Sequence, residues 1–173
     1  PKEDFNKKVL FVGRITQAKG VDHIVAAARL MPDWNFTIVG DGPYLSELKE
    51  SAAGLLNVTF SGAVANPELP TYYHEADLFI LPSEREGMPV SIIESLACGT
   101  PVIATDVGQI SELVINGENG QLIDASAESI EVALNSIVAQ GTWQKMSRNA
   151  PSSVSDRDMN EVAKRISAFM EDL

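Results

Sequence analysis

The chain has 173 residues, 45% hydrophobic and 21% charged, a length and balance that fit one globular domain able to bury a sizeable core. Its formal charge of −11 excludes a broad basic face for nucleic acid or anionic membrane, so any anionic ligand must be held locally. The single cysteine, Cys98, excludes an internal disulfide framework; with no secretory leader pattern and no run long and apolar enough to cross a bilayer, a cytoplasmic location is expected.

In chain order, KKVLFVG reads as a buried strand ending at Gly13, and VDHIVAAARL as a helix with apolar residues at helical spacing. NFTIVGDGP is a second strand closed by a glycine-rich turn; a helix over about 44–52, a strand around 58–60 and a weaker helix over 68–75 follow. DLFILP and PVIAT give two further strands with a helix over about 89–98 between them, and SELVING and GQLID add one more helix and strand. From Ala127 onward the pattern is helical, and SDRDMNEVAKRISAFMEDL is amphipathic and charged, expected at the surface or docked against another surface. Apolar strands separated by helices predict an α/β fold: a parallel sheet of about six strands with helices on both faces, as a single domain over 1–173, followed by C-terminal helices.

The most informative stretch is SEREGMPVSIIESLACGTPVIA, which carries Glu86 and Glu94 with seven residues between them. Met88-Pro89 fits a helix start, because proline is tolerated in the first turn, and Gly99 with Pro101 is a stop signal. On this helix Val90, Ile92, Ile93, Leu96 and Ala97 are apolar, while Ser91, Glu94, Ser95 and Cys98 form one narrow stripe. A solvent face usually carries several long charged residues; small neighbours around one acid instead suit a crevice where a hydroxyl-bearing ligand approaches and the carboxylate accepts. The Glu86-Gly87 step lies on the loop between a strand's carboxyl end and the helix N-terminus, where parallel sheets bind ligands and free N–H groups seat phosphate.

After the first strand comes GRITQAKG, with Arg14 and Lys19 bracketing a loop expected at the same edge of the sheet. Taken alone these are two solvated cations; in so acidic a chain, a cation pair beside the expected crevice points to a bound anion. The glycine spacing fits neither the dinucleotide fingerprint GxGxxG nor the P-loop GxxxxGK[ST], which disfavours a nicotinamide dehydrogenase or a P-loop ATPase.

The segments FVGRITQAKGVDHIVAAA, IVGDGP, SGAV and YYHEADLFILPSEREGMPVSIIESLACGTPVIATDVGQISELVINGENGQLI, in that order, resemble the carboxyl-terminal, donor-binding half of retaining glycosyltransferases of family four, which have the two-domain B-type fold. The resemblance implies a Rossmann-like domain that binds a nucleotide-diphospho-sugar, with UDP or GDP expected and no separate cofactor. It implies that Arg14 and Lys19 hold the diphosphate, with Gly13 among the nucleotide-sugar-binding residues, and that Glu86 contacts the transferred sugar, so that Arg14, Lys19 and Glu86 are the catalytic set. Glu94 is then assigned to the ribose, with Gly87, Met88, Pro89 and Val90 around the phosphate seat. The base falls to backbone near Gly40 and near Gly62, Ala63 and Val64. A saccharide or lipid-linked acceptor is assigned to an amino-terminal domain absent from this chain, and the longer protein is expected at the inner face of a membrane. Neither the residues nor the resemblance calls for a metal.

The family pattern reads EGFG where this chain has Glu86-Gly87-Met88-Pro89, so the departure falls beside the sugar. Gln109 stands where a second glycine often follows Gly108; its side chain either reaches the ligand or faces water. A glycoside hydrolase needs two carboxyls about 5 to 9.5 Å apart. Loop and helix rises place the two Cα atoms about 10 to 15 Å apart, which disfavours hydrolysis. A sugar-nucleotide-binding or epimerase-like module on the same scaffold is the alternative. His23, His74, Trp34, Trp143 and Cys98 read as structural.

Overall fold

The computed structural model describes residues 4–157. Six short apolar runs, β1 (Lys8–Val12), β2 (Asn35–Val39), β3 (Val58–Gly62), β4 (Leu78–Leu81), β5 (Val102–Thr105) and β6 (Gly120–Ile123), form one parallel sheet in the order β3-β2-β1-β4-β5-β6. β4 and β5 are buried along their whole length, as interior strands of a parallel sheet covered on both faces must be. β1 pairs with β2, Lys8 opposite Asn35 through Val12 opposite Val39, and on its other side with β4, Val9 opposite Leu78. The winding therefore reverses between β1 and β4, and the two strand ends open a crevice there.

The helices are α1 (Val21–Leu30), α2 (Leu45–Ser51), α3 (Leu69–Glu75), α4 (Val90–Ala97), α5 (Ala127–Gln140) and α6 (Trp143–Asn149), with a 3-10 segment Pro151–Arg157. α1 packs on α2 and α5, whereas α4 packs on α3 and the 3-10 segment, so helices lie on both faces as the alternation predicts. Over β2 and β3 one face stays open as a groove of about 270 Å³ lined by Thr37, Thr59, Ser61 and Tyr72. None of the helices among the described residues is long and apolar enough to cross a membrane.

Both tryptophans are packing anchors. Phe5 meets Trp34 and Trp143 edge-on at centroid distances of 5.6 and 5.1 Å, and the Trp143 indole N–H donates to the Asp77 carbonyl at 2.8 Å. The buried Asp77 carboxylate accepts the backbone N–H of both Asn6 and Lys8 at 2.8 Å, satisfying a charge that could not otherwise be buried and fixing where β1 begins.

Two local expectations change. SELVING forms one 3-10 turn, Ile110–Glu112, in place of a helix. Asparagine side chains take over the backbone there: Asn119 accepts from Ile115 N and donates to the Leu113 carbonyl, both at 2.8 Å, and Asn116 accepts from Leu122 N at 2.6 Å. The small-residue stripe on α4 is not one solvent crevice either. Ser95 is fully buried and donates to the Thr100 carbonyl at 2.8 Å, while Val90 is 43% exposed. Of the C-terminal amphipathic segment, residues 158–173 lie outside the described residues.

Candidate functional site

The loops after β1 and β4 meet at the reversal of the sheet. The β1 loop closes with a 3-10 turn, Gln17–Lys19, and Gly20 at φ 65°; a Cβ on Gly20 would come within 2.0 Å of the Pro82 carbonyl oxygen. Glycine is thus what allows the first loop to lie against the end of β4. Glu84 N donates to the Ala18 carbonyl at 2.9 Å, stapling the two loops together. From the far side, Gly108 at φ 61° packs on the Glu86 backbone, where a Cβ would come within 2.0 Å of the Glu86 carbonyl, and Gln109 N donates to the Gly87 carbonyl at 3.3 Å.

This bracing places two residues 67 positions apart in contact. The Lys19 ammonium donates to Glu86 Oε1 at 2.7 Å, and the Ser83 hydroxyl donates to the same oxygen at 2.6 Å. Ser83 is itself held, its carbonyl accepting from the Thr105 hydroxyl at 2.5 Å at the end of β5. The Glu86 side chain is only 7% exposed and that of Lys19 28%. The ion pair therefore sits at a wall and not in free solvent, where charge-assisted bonds are stronger. Glu86 Oε2 accepts no hydrogen bond among the described residues, and the ammonium keeps further donors for a ligand. Arg14, just past β1, is exposed and makes no hydrogen bond or ion pair among the described residues. One carboxylate and two cations at strand carboxyl ends can together hold a polyhydroxylated group joined to phosphate.

Residues 1–153 match the family described as glycosyl transferases group 1. The chain belongs to that family. Among relatives of this group 1 glycosyltransferase chain, the lipopolysaccharide core biosynthesis mannosyltransferase LpsB of Rhizobium meliloti is 36% identical over 139 residues, covering 73% of this chain and 39% of LpsB. The structure of Anabaena HepE in complex with UDP and glucose superposes with a TM-score of 0.87 at 25% identity, over 97% of this chain and 49% of HepE. The C-terminal domain of a group 1 glycosyl transferase, LpcC, from Francisella tularensis gives a TM-score of 0.74 at 26% identity, over 86% of this chain and 84% of that domain. This chain thus spans less than half the length of LpsB and of HepE, and it has the fold of the carboxyl-terminal domain of a B-type glycosyltransferase.

In this glycosyltransferase domain, Pro89 immediately precedes α4; its φ of −77° and ψ of 105° make it the N-cap residue, with no side-chain cap. The first N–H groups of the helix are therefore available at the crevice, beside Met88 and Val90, which are 46% and 43% exposed. Pro89 itself is buried. Gly40 N donates to the Gly62 carbonyl at 2.8 Å, bringing together the ends of β2 and β3 that carry the expected base contacts, with Ala63 exposed and Val64 half-buried. Gly13 N donates to the Val39 carbonyl at 3.0 Å, tying the β1 end to β2. Glu94 joins none of these. It is half-buried, and its Oε2 accepts from the Tyr73 hydroxyl at 2.8 Å. Gln109 is exposed on the Gly108 loop. Cys98 is half-buried and packed against the core, His23 is half-buried on α1, and His74 is exposed. Among the described residues no group of three or more His, Cys, Asp and Glu could hold a metal ion.

Three residues of the site escaped the sequence reading. Ser83 stands three positions before Glu86, and a hydroxyl at that spacing on a loop was a usable signal. Thr105 and Tyr73 had none, since their partners lie 22 and 21 positions away and are brought near only by the tertiary fold.

Proposed function

We propose that this chain is the donor-binding domain of a retaining glycosyltransferase, binding a nucleotide-diphospho-sugar from which a hexosyl group passes to a saccharide or lipid-linked acceptor. The observation that carries the reading is the Lys19–Glu86–Ser83 cluster at the sheet reversal; Arg14, exposed just past the end of β1 and unpaired among the described residues, is the second cation. Relatives support it: LpsB is named a mannosyltransferase of lipopolysaccharide core biosynthesis, and HepE was solved with UDP and glucose.

Breaking the sugar–phosphate bond builds negative charge on the departing diphosphate. Arg14, the free donors of Lys19 and the N-terminus of α4 meet that charge, and each such preorganised donor is worth about a hundredfold to a thousandfold in rate. Glu86, fixed through Oε1, turns its Oε2 to hydroxyls of the transferred sugar, and Glu94 takes the ribose. Two cations and a helix end do here what a metal ion does in other transferases, so donor binding is expected to be insensitive to chelator. The site is open on one side, with Arg14, Gly87, Met88 and Val90 exposed, and a second wall is needed to exclude water. An amino-terminal acceptor domain is that wall; the chain alone binds donor without transferring. A cytoplasmic location, with the longer protein at the inner membrane face, suits activated nucleotide sugars.

Calorimetric titration of this chain with UDP, GDP and ADP, then with their sugars, tests the reading. Binding of one nucleotide diphosphate and its sugar is expected; binding of none rejects it.

A further inference from the structure

We propose that Tyr73 is the positioning residue for Glu94, its buried hydroxyl holding one carboxylate oxygen so that the other is presented to the ribose hydroxyls of the donor. The inference rests on the assignment of Glu94 to the ribose made above.

Tyr73 lies on α3 and is 1% exposed, its ring tilted against Phe79 at 5.7 Å. A residue needed only to fill that space could be phenylalanine, because burying a phenol hydroxyl costs free energy unless it is hydrogen-bonded. The hydroxyl is bonded, and to Glu94 Oε2 at 2.8 Å across the α3–α4 contact. Tyr73 is also fixed at its backbone, where its carbonyl accepts from the Thr100 hydroxyl at 2.6 Å, and the Thr100 carbonyl accepts from Ser95 at 2.8 Å. Three hydroxyls therefore run in series from Ser95 through Thr100 and Tyr73 to Glu94. Both ends of the series are on α4, so the carboxylate is triangulated by the helix that bears it and the helix beside it.

The chemical consequence is direct. A glutamate on a half-exposed helix face loses rotamer freedom when a ligand fixes it. A partner that fixes it beforehand removes that cost from binding. Tyrosine is suited to the task because burial, followed by the neighbouring Glu94 charge and their hydrogen bond, pushes its hydroxyl far above the ordinary value near 10, so it donates throughout the working range. One oxygen of Glu94 is thereby satisfied, and Oε1 accepts no hydrogen bond among the described residues, leaving it to receive hydroxyl donors.

The test compares UDP and GDP with their 2′,3′-dideoxy counterparts, titrated into this chain. The parent protein is expected to prefer the ribonucleotide. Tyr73→Phe should weaken the ribonucleotide about tenfold while leaving the dideoxynucleotide unchanged, which also shows that the variant is folded. In a Glu94→Gln background the same substitution should change nothing further, and p-aminophenylalanine at position 73, which keeps a para donor, should restore the preference. Equal loss for both nucleotides, no loss for the ribonucleotide, an added loss in the Glu94→Gln background, or no rescue overturns the positioning role. A Glu94→Gln protein that keeps the parent's ribose preference overturns the ribose assignment instead, and a parent chain that binds neither nucleotide removes both.

Discussion

Lys19 and Glu86, 67 positions apart, share a 2.7 Å ion pair at the point where the sheet reverses its winding. Neither residue meets the other through local sequence; the contact exists because the loops after β1 and β4 are braced against each other at Gly20 and Pro82. The pair fixes the Glu86 carboxylate through one oxygen and places the Lys19 ammonium beside it.

Breaking the pair should therefore cost binding as well as order. Lys19→Met removes the proposed diphosphate donor and leaves Glu86, 7% exposed, without its cation. Nucleotide diphosphate affinity is expected to fall tenfold or more, since a charge-assisted bond is worth about 1.5 to 3 kcal/mol. Arg14→Lys should restore only part of what Arg14→Ala loses, because a point charge does not reproduce the bidentate fork. Titration of the three variants with one nucleotide diphosphate gives the comparison, and full affinity in Arg14→Lys argues against fork recognition.

Ser83→Ala probes the positioning of Glu86. The hydroxyl bonds to Oε1 at 2.6 Å, whereas Oε2 is the oxygen proposed to meet the sugar. Nucleotide affinity should hold while nucleotide-sugar affinity drops about fivefold to tenfold. A drop in both assigns Ser83 to the diphosphate.

Gly108→Ala should lower stability by more than about 1 kcal/mol, because it adds strain at φ 61° to a Cβ lodged 2.0 Å from the Glu86 carbonyl. Gly117→Ala, also at positive φ but with open space around it, should cost less. Thermal melting of the two variants side by side reads the difference, which isolates the contact from the backbone conformation.

How much of this was legible in the sequence follows from what kind of force places each residue. The strand and helix alternation is a local pattern of burial, so the six strands and the four helices expected over 21–30, 44–52, 68–75 and 89–98 fall where periodicity puts them, within a few residues at the ends. SELVING was misread because apolar spacing ignores Asn116 and Asn119, whose side chains capture the backbone in a turn. Ser95 was misread for the opposite reason: a serine looks like surface until a buried carbonyl, here that of Thr100, is found to receive it. Glu86 and Lys19 could be singled out as chemistry beside one crevice, but that they bond directly depends on loop bracing no single segment encodes. Tyr73 reads as a helix residue and nothing more until Glu94 is seen beside it.

The alkaline limb of stability should carry the mark of Tyr73. Its hydroxyl is raised from the ordinary value near 10, first by burial and then by the Glu94 charge and hydrogen bond. Above pH 10 the unfolded chain loses this proton while the folded chain keeps it, so the folded state binds more protons and stability falls as pH rises, by about 1.4 kcal/mol per pH unit for this one group. The contribution is full below pH 10. Denaturant midpoints from pH 9 to 11 should decline less steeply in Tyr73→Phe than in the parent protein; parallel declines rule out the linkage.

The central claim is that Glu94 serves the nucleotide and Glu86 the sugar. Calorimetric titration of the parent chain, Glu86→Gln and Glu94→Gln, each with a nucleotide diphosphate and with the corresponding nucleotide sugar, tests it most directly. Glu94→Gln should weaken both ligands alike, and Glu86→Gln the nucleotide sugar alone. Equal losses for both ligands in both variants would contradict the division of labour on which the site rests.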